Sequence, residues 1–346
     1  MSKLVPIPFI IAGPCSVESP EQIMAAAEGI SKAGVTMLRG GLWKPRTHPG
    51  CFEGVGETGA RWLRDAGRAT GMKTITEVAN ARHVEIILKY GIDAVWIGAR
   101  TTGNPFLVQE IADALKGTGL PVFVKNPLVP DPELWLGAVE RLSGCGCGLV
   151  CAVHRGFYFY GESLYRNAPF WQIPVELRRR MPEIPILCDP SHIGGERSLV
   201  KSLSQQAMAF GFDGLMIEVH PDPDKALSDA AQQITPAELA KLIGSLKMRG
   251  NTTPGAETAT ALDSLRSDID RIDSSLIDLL AERMKVSEAI GKIKEKSGLT
   301  VLQTGRWNSV LKKVCALAKE KDLDESFITE VFNLIHRASM ERQINK

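Results

Sequence analysis

Eight short apolar runs, separated by segments long enough for a helix, fill the first 220 or so residues, and each run ends against polar or charged residues. The runs cover 7–12, 35–38, 73–78, 94–98, 122–124, 149–153, 184–188 and 214–217. Behind them come Gly13-Pro14-Cys15, Arg39 and then Lys44-Pro45-Arg46-Thr47, Arg100, Lys125, His154-Arg155, Asp189 to His192, and Glu218-Val219-His220; Glu77 lies inside the third run. Strands buried on both faces read as continuous apolar runs, and helix-length crossovers make them parallel. Eight such units predict a (β/α)8 TIM barrel. A barrel of this kind gathers its chemistry at the C-terminal ends of the strands, so these residues are also the candidate site.

Such a barrel uses about 250 residues, and the chain has 346. The strand pattern stops after a helix near 236–246 with Thr235 as a plausible N-cap. A small, polar, Gly- and Pro-broken segment follows, Met248 to Gly255. The spacing of apolar residues then changes to three and four: Leu262, Leu265, Ile269, Ile272, Leu276, Leu279, Val286, Ile290 and Ile293. That period marks one long amphipathic helix, closed near Gly298. Two further helices are expected near 305–319 and 325–344, the last behind Asp324. The expected organisation is a barrel over 1–247, a linker over 248–258 and a small all-α three-helix domain over 259–346.

Charge narrows the function. The 41 Lys and Arg nearly cancel the 40 Asp and Glu, so no general basic excess points to nucleic acid or a membrane surface. Any anion site must be a local cluster. No run approaches bilayer-spanning length, and the N-terminus does not read as a signal peptide. Seven scattered cysteines suit reduced thiols, and a cytoplasmic location is expected.

Strands 7, 8 and 1 are neighbours in a barrel, so Cys15, His192, Glu218 and Asp229 can meet. Thiolate, imidazole and two carboxylates suit a borderline divalent ion such as Mn, Fe, Co or Zn. The pair Cys145–Cys147 precedes strand 6, away from this rim, and carries no such expectation. Arg39, Lys44, Arg46, Arg100, Lys125 and Arg155 all sit at or just beyond strand ends. Converging cations repel one another unless anions lie among them, and Arg offers forked donors to phosphate or carboxylate. One or two small phosphorylated, carboxylate-bearing substrates are expected.

At this point the motifs Ala12-Gly13-Pro14-Cys15-Ser16, Lys44-Pro45-Arg46-Thr47, Gly98-Ala99-Arg100, Asp189-Pro190-Ser191-His192 and Ile217-Glu218-Val219-His220-Pro221 carry a resemblance. Over about residues 5–245 the chain resembles the shorter microbial class of 3-deoxy-D-arabino-heptulosonate 7-phosphate (DAHP) synthases. The resemblance implies condensation of phosphoenolpyruvate with erythrose 4-phosphate at the entry to aromatic amino-acid synthesis. It implies Cys15, His192, Glu218 and Asp229 as metal ligands. Arg100, Lys125 and Arg155 are implied for the phosphoenolpyruvate phosphate, with Arg39 and Lys44 for its carboxylate. Lys44, Pro45, Arg46 and Thr47 are implied for erythrose 4-phosphate. The chain departs from the usual pattern at 48–52, at Asn126-Pro127 and at His154, where an acid is expected. A 3-deoxy-octulosonate 8-phosphate synthase is the close alternative, disfavoured by the uninterrupted Lys44-Pro45-Arg46-Thr47.

The tail, across roughly 262–343, resembles the all-α chorismate mutases of the AroQ type. That resemblance implies Arg266, Arg283, Lys294, Arg306, Ser339 and Gln343 as chorismate contacts, for rearrangement to prephenate. Gln303 and Trp307 stand where that family usually has acids. Arg283 falls on the apolar seam, where an unpaired guanidinium is costly. It lies about 16 Å along the helix from Lys294, on the same side, and about 25 Å from Arg266. If one small dianion meets both arginines, Arg266 must come from a second chain. A homodimer or higher homo-oligomer through the C-terminal helices is therefore expected. The fusion itself suggests feedback on the barrel by prephenate or chorismate. The alternative for the tail is a non-catalytic regulatory or dimerisation module.

Overall fold

A computed structural model describes residues 8–45, 50–161, 163–248 and 256–344. Chain contacts divide the molecule into two compact units, 1–251 and 252–346.

The first unit is a closed barrel of eight parallel strands in chain order. They are β1 (Phe9–Gly13), β2 (Met37–Arg39), β3 (Lys73–Val78), β4 (Ala94–Ile97), β5 (Val122–Lys125), β6 (Val150–His154), β7 (Ile186–Cys188) and β8 (Gly214–Glu218). The β1–β8 register, from Phe9 beside Gly214 to Gly13 beside Glu218, closes the ring. The helices of this unit are α1 (Pro20–Ser31), α2 (Glu57–Thr70), α3 (Ala81–Tyr90), α4 (Ala99–Thr102), α5 (Pro105–Leu115), α6 (Pro132–Ser143), α7 (Gln172–Arg180), α8 (Pro190–Gly194), α9 (Arg197–Ala209) and α10 (Pro236–Ser245). Side-chain caps recur where strand passes to helix. Asn104 caps α5, Asp131 caps α6, and Thr235 caps α10 in a full capping box with Glu238. Each satisfies backbone N–H groups that the first helical turn leaves without partners.

Alternation along each strand divides the core in two. Ala12, Leu38, Val95, Val124, Ala152, Cys188 and Ile217 point outward into the helix layer. Ile11, Met37, Ile75, Trp96, Phe123, Val153, Leu187 and Met216 fill the barrel interior. Two residues further along five of the strands, the same inward parity reaches Arg39, Glu77, Lys125, Asp189 and Glu218. The interior is thus apolar at mid-barrel and charged at its C-terminal end.

The second unit is all-helical: α11 (Ala256–Lys296), α12 (Thr304–Glu320) and α13 (Glu325–Ile344). Helix α11 begins inside the segment expected to be linker, whose residues 249–255 lie outside the described residues. Good helix formers such as Ala and Glu carry the helix back beyond the first periodic apolar residue. Gly298, at φ 65°, follows its end in the left-handed conformation that ordinary residues avoid.

Candidate active sites

At the barrel mouth, Cys15, Glu218 and Asp229 bring one ligand atom each to within 4.8 Å of one another. The Cys15 thiol donates to Asp229 Oδ2 at 3.2 Å. His192, the fourth expected residue, is turned toward its neighbour: Nδ1 lies 2.8 Å from Asp189 Oδ2, and Nε2 lies 3.7 Å from Glu218 Oε1. Asp189 N-caps α8 and accepts from the His192 backbone, which fixes the turn that carries the imidazole. The Lys44 ammonium donates to Cys15 Sγ at 2.9 Å, so one cation already rests against the thiol and carboxylates.

Electrostatics follow from that crowding. Burial, then the Glu218 charge, pushes the Cys15 thiol up to about 12, with Lys44 opposing. Burial would lower the Lys44 ammonium, but Cys15, Glu218 and Glu77 hold it above its ordinary value. Burial likewise works to raise Glu218, and His192, Arg39 and Lys44 overcome it, so the carboxyl stays below the usual range. The same balance, with Lys44 and His192 the strongest opposing charges, holds Asp229 down.

The buried cations do not stand free. Arg39, 1% exposed, donates to Glu218 Oε1 at 3.0 Å and lies over the Trp96 ring, 4.8 Å from its centre. Its Nε and Nη1 are buried without a hydrogen-bond partner among the described residues. Lys125 donates to Asp189 Oδ2 at 2.8 Å, and burial lowers its pKa. Arg155 is buried and donates to Asn167 Oδ1 at 2.7 Å. Burial, aided by Arg166 and Arg100, lowers its guanidinium to about 10 against the pull of Asp189. Arg100 is exposed on α4, and Pro45 is exposed beside Lys44; Arg46 and Thr47 lie outside the described residues. Glu77 accepts the Trp96 indole N–H at 3.0 Å. Glycine at 98 leaves room for this carboxylate, because a Cβ there would lie 2.1 Å from Glu77 Oε1 and force that side chain to move.

Asp189, named in the sequence without a role of its own, and Arg166, Asn167 and Gln232, not singled out there, contact these groups. Inward parity on β7 flags Asp189. Arg166 and Asn167 lie in a loop and Gln232 in a single 3-10 turn, where no period exists to mark them.

In the helical unit, two of the pairs between α13 and α11 join expected chorismate contacts. Arg283 donates to Ser339 Oγ at 2.5 Å, and Lys294 donates to Gln343 Oε1 at 3.3 Å. Arg266 is exposed and pairs with Asp263 at 3.1 Å. Arg306 and Gln303 are also exposed. Trp307 stacks on His336, with ring centres 4.0 Å apart and planes 8° apart. Burial, then Arg283 and Lys294, lowers His336. The Cys147 thiol at the other end of the barrel donates to Leu142 O, and all seven cysteines are free.

A parallel barrel with buried guanidinium, ammonium, thiol and carboxylate groups at its mouth is an enzyme built for small anionic substrates. The chain belongs to the DAHP synthetase I family, whose family model matches residues 7–251, and residues 265–344 match Chorismate mutase type II. Phospho-2-dehydro-3-deoxyheptonate aldolase of Thermotoga maritima is 37% identical over 238 residues, 69% of this chain and 68% of the relative. Its crystal structure superposes with a TM-score of 0.62 at 36% identity, over 68% of this chain and 67% of that one. A truncated form of 3-deoxy-D-arabino-heptulosonate 7-phosphate synthase from the same organism gives 0.60 at 33%, over 75% and 87%. A 2-dehydro-3-deoxyphosphooctonate aldolase of Magnetococcus marinus is 26% identical, over 77% of this chain and 91% of the relative. DAHP synthase and chorismate mutase domains of the shikimate pathway are thus both present in one chain. Among the described residues, no helix is long and apolar enough to cross a membrane.

Proposed function

We propose that the barrel condenses phosphoenolpyruvate with erythrose 4-phosphate with the help of a divalent ion held by Cys15, His192, Glu218 and Asp229. The donor set fits: one thiol and two carboxylates converge, an imidazole borders them, and the Lys44 ammonium rests against the thiol as a cation does. A Mn, Fe, Co or Zn ion bound there supplies Lewis acidity toward a carbonyl oxygen. Arg100, Lys125 and Arg155 hold the phosphoenolpyruvate phosphate, and Arg39 and Lys44 its carboxylate. The two unpartnered donors of Arg39 carry this reading most directly, since buried donors without partners call for an acceptor from a ligand. Lys44, Pro45, Arg46 and Thr47 take erythrose 4-phosphate and turn its aldehyde toward C3 of phosphoenolpyruvate. Carbon–carbon bond formation there, with water adding at C2, releases phosphate.

The helical unit rearranges chorismate to prephenate. Arg283 and Arg306, with Arg266 of a second chain, hold its carboxylates; Lys294 and Gln343 meet the ether oxygen, and Ser339 steadies Arg283. A homodimer through α11 brings the second Arg266. Prephenate or chorismate bound there feeds back on the barrel. The protein works in the cytoplasm, without nucleic acid or membrane partners.

The deciding experiment is phosphate release by chelator-stripped protein given phosphoenolpyruvate with erythrose 4-phosphate or arabinose 5-phosphate, then metal. Metal-restored release with erythrose 4-phosphate alone is expected; release without metal sinks the ligand assignment. Inhibition of that release by prephenate, abolished in Arg283→Ala, is expected of the feedback.

A further inference from the structure

Two adjacent residues between β6 and α7 join the carboxylate cluster to the cation cluster. The backbone N–H of Arg166 donates to Gly194 O at 3.2 Å, and that of Asn167 to Ile193 O at 3.1 Å. These bonds fasten the segment to α8, the turn that carries His192. Gly195 adopts φ 73°, and a Cβ there would lie 2.5 Å from Cβ of Arg166. Glycine at 195 therefore lets the Arg166 side chain cross it.

From that position Arg166 Nη1 donates to Asp229 Oδ1 at 3.2 Å and to Gln232 Oε1 at 2.7 Å. Gln232 in turn donates from Nε2 to Glu218 Oε2 at 2.7 Å. Arg166 thus holds Asp229 directly and Glu218 through one amide. By occupying Asp229 Oδ1 it leaves Oδ2 facing the Cys15 thiol. Asn167 works in the other direction. Its Oδ1 accepts from Arg155 Nη1, and its Nδ2 donates to His192 O, both at 2.7 Å. Asn167 is 6% exposed, so both contacts are held in a dry environment.

We propose that Arg166 and Asn167, with Gln232, are positioning residues that set the metal-binding carboxylates and the phosphate-binding Arg155 in one fixed relation. The proposal rests on the metal and phosphate readings given above. Its physical content is coupling. One pair of residues orders both clusters, so loosening it weakens both ligands. Groups that orient metal ligands typically govern affinity by about 10- to 100-fold.

The test is a titration of the metal-stripped full chain with Co²⁺, followed by thiolate-to-cobalt absorption, in wild type, Arg166→Gln, Arg166→Lys and Asn167→Ala. Arg166 is half exposed, so its replacement is expected to leave folding intact; circular dichroism and chorismate turnover check this. Arg166→Gln is expected to weaken Co²⁺ binding by about 10-fold or more and to alter the absorption band. Arg166→Lys should recover part of the affinity. Asn167→Ala should raise KM for phosphoenolpyruvate more than it lowers kcat. Wild-type Co²⁺ affinity and spectrum in a folded Arg166→Gln would overturn the proposal alone. Failure of the wild type to bind Co²⁺ would overturn the metal reading as well, which separates the two.

Discussion

The barrel and the long helix α11 place their apolar side chains in opposite surroundings. Leu38, Ile75, Ile97 and Ile217 of the barrel are 0% exposed. Along α11, Leu265, Ile269, Ile272, Leu276, Leu279 and Ile293 are 49–65% exposed, although they repeat with the strict spacing of a buried stripe. A closed barrel has no edge and two covered faces, so it satisfies itself within one chain. A single helix buries its stripe only against another element, and α12 and α13 leave most of this one uncovered. A contiguous apolar surface of that kind marks an interaction site. The barrel thus covers its apolar surface within one chain, whereas the α11 stripe is left for a second element, which on the dimer reading is another copy of the chain.

The largest difference between the two should appear on removing metal. Chelation, or Cys15→Ala, is expected to lower phosphate release by about 10³-fold or more, since a Lewis acid is worth several kcal/mol. Chorismate turnover by the same sample should change by less than about twofold, because its candidate residues all belong to the other unit. Equal loss of both activities would break the comparison.

Dimer dependence comes next, and on the dimer reading it belongs to the helical unit. Ile272→Asp puts a charge on the exposed stripe and should dissociate the dimer, seen by sedimentation, with chorismate turnover falling about 100-fold. A sharper version mixes Arg266→Ala chains with Arg283→Ala chains. Each is expected to be nearly inactive alone. A heterodimer of the two holds one intact site, so mixing should restore about a quarter of the sites, given random pairing in a two-fold dimer. No recovery after subunit exchange would mean that both arginines serve one chain.

How much of this was legible beforehand depends on periodicity. The eight strands and the α11 stripe were readable because a period of two or of 3.6 is written into the residue order. Inward parity reached Arg39, Lys125 and Glu218 for the same reason. It also reached Glu77 and Asp189, which lie on β3 and at the end of β7 and were given no role. Periodicity does not reveal how charges pair. Six cations look unpaired in the sequence, yet Arg39 is matched by Glu218 and Lys125 by Asp189 from strands far along the chain. Arg166, Asn167 and Gln232 were invisible, since positions in loops and single turns follow hydrogen bonds to distant groups, not a repeating pattern. Trp307 read as a lost acid; its stack on His336 depends on a contact between two helices.

Core truncation should also divide the units. Trp96→Ala in the barrel interior is expected to cost about 3–5 kcal/mol. Leu279→Ala on α11 should cost less, and by an amount that changes with protein concentration, because on the dimer reading its burial is intermolecular. Thermal unfolding at two concentrations checks both.

The smallest expected effect is a pH dependence of the barrel that traces to one buried ring. His154 is fully buried within a shell of Trp135, Phe157, Trp171 and Phe212. Burial, with Arg155 adding to it, lowers its imidazole from 6.5 to about 3. The folded chain therefore keeps this ring neutral, while the unfolded chain protonates it below about pH 6.5. The unfolded state then binds the extra proton, so its contribution to stability is fully present above pH 6.5 and is lost as pH falls toward 3. One such group gives a slope of at most about 1.4 kcal/mol per pH unit. Denaturant unfolding of the barrel at pH 7.5, 6 and 5 should show the decline, and His154→Phe should flatten it. Burial, then Arg283 and Lys294, lowers His336 in the helical unit, so that unit should also lose stability on acidification, untouched by the substitution at 154. An unchanged slope in His154→Phe would assign the acid sensitivity of the barrel to other groups.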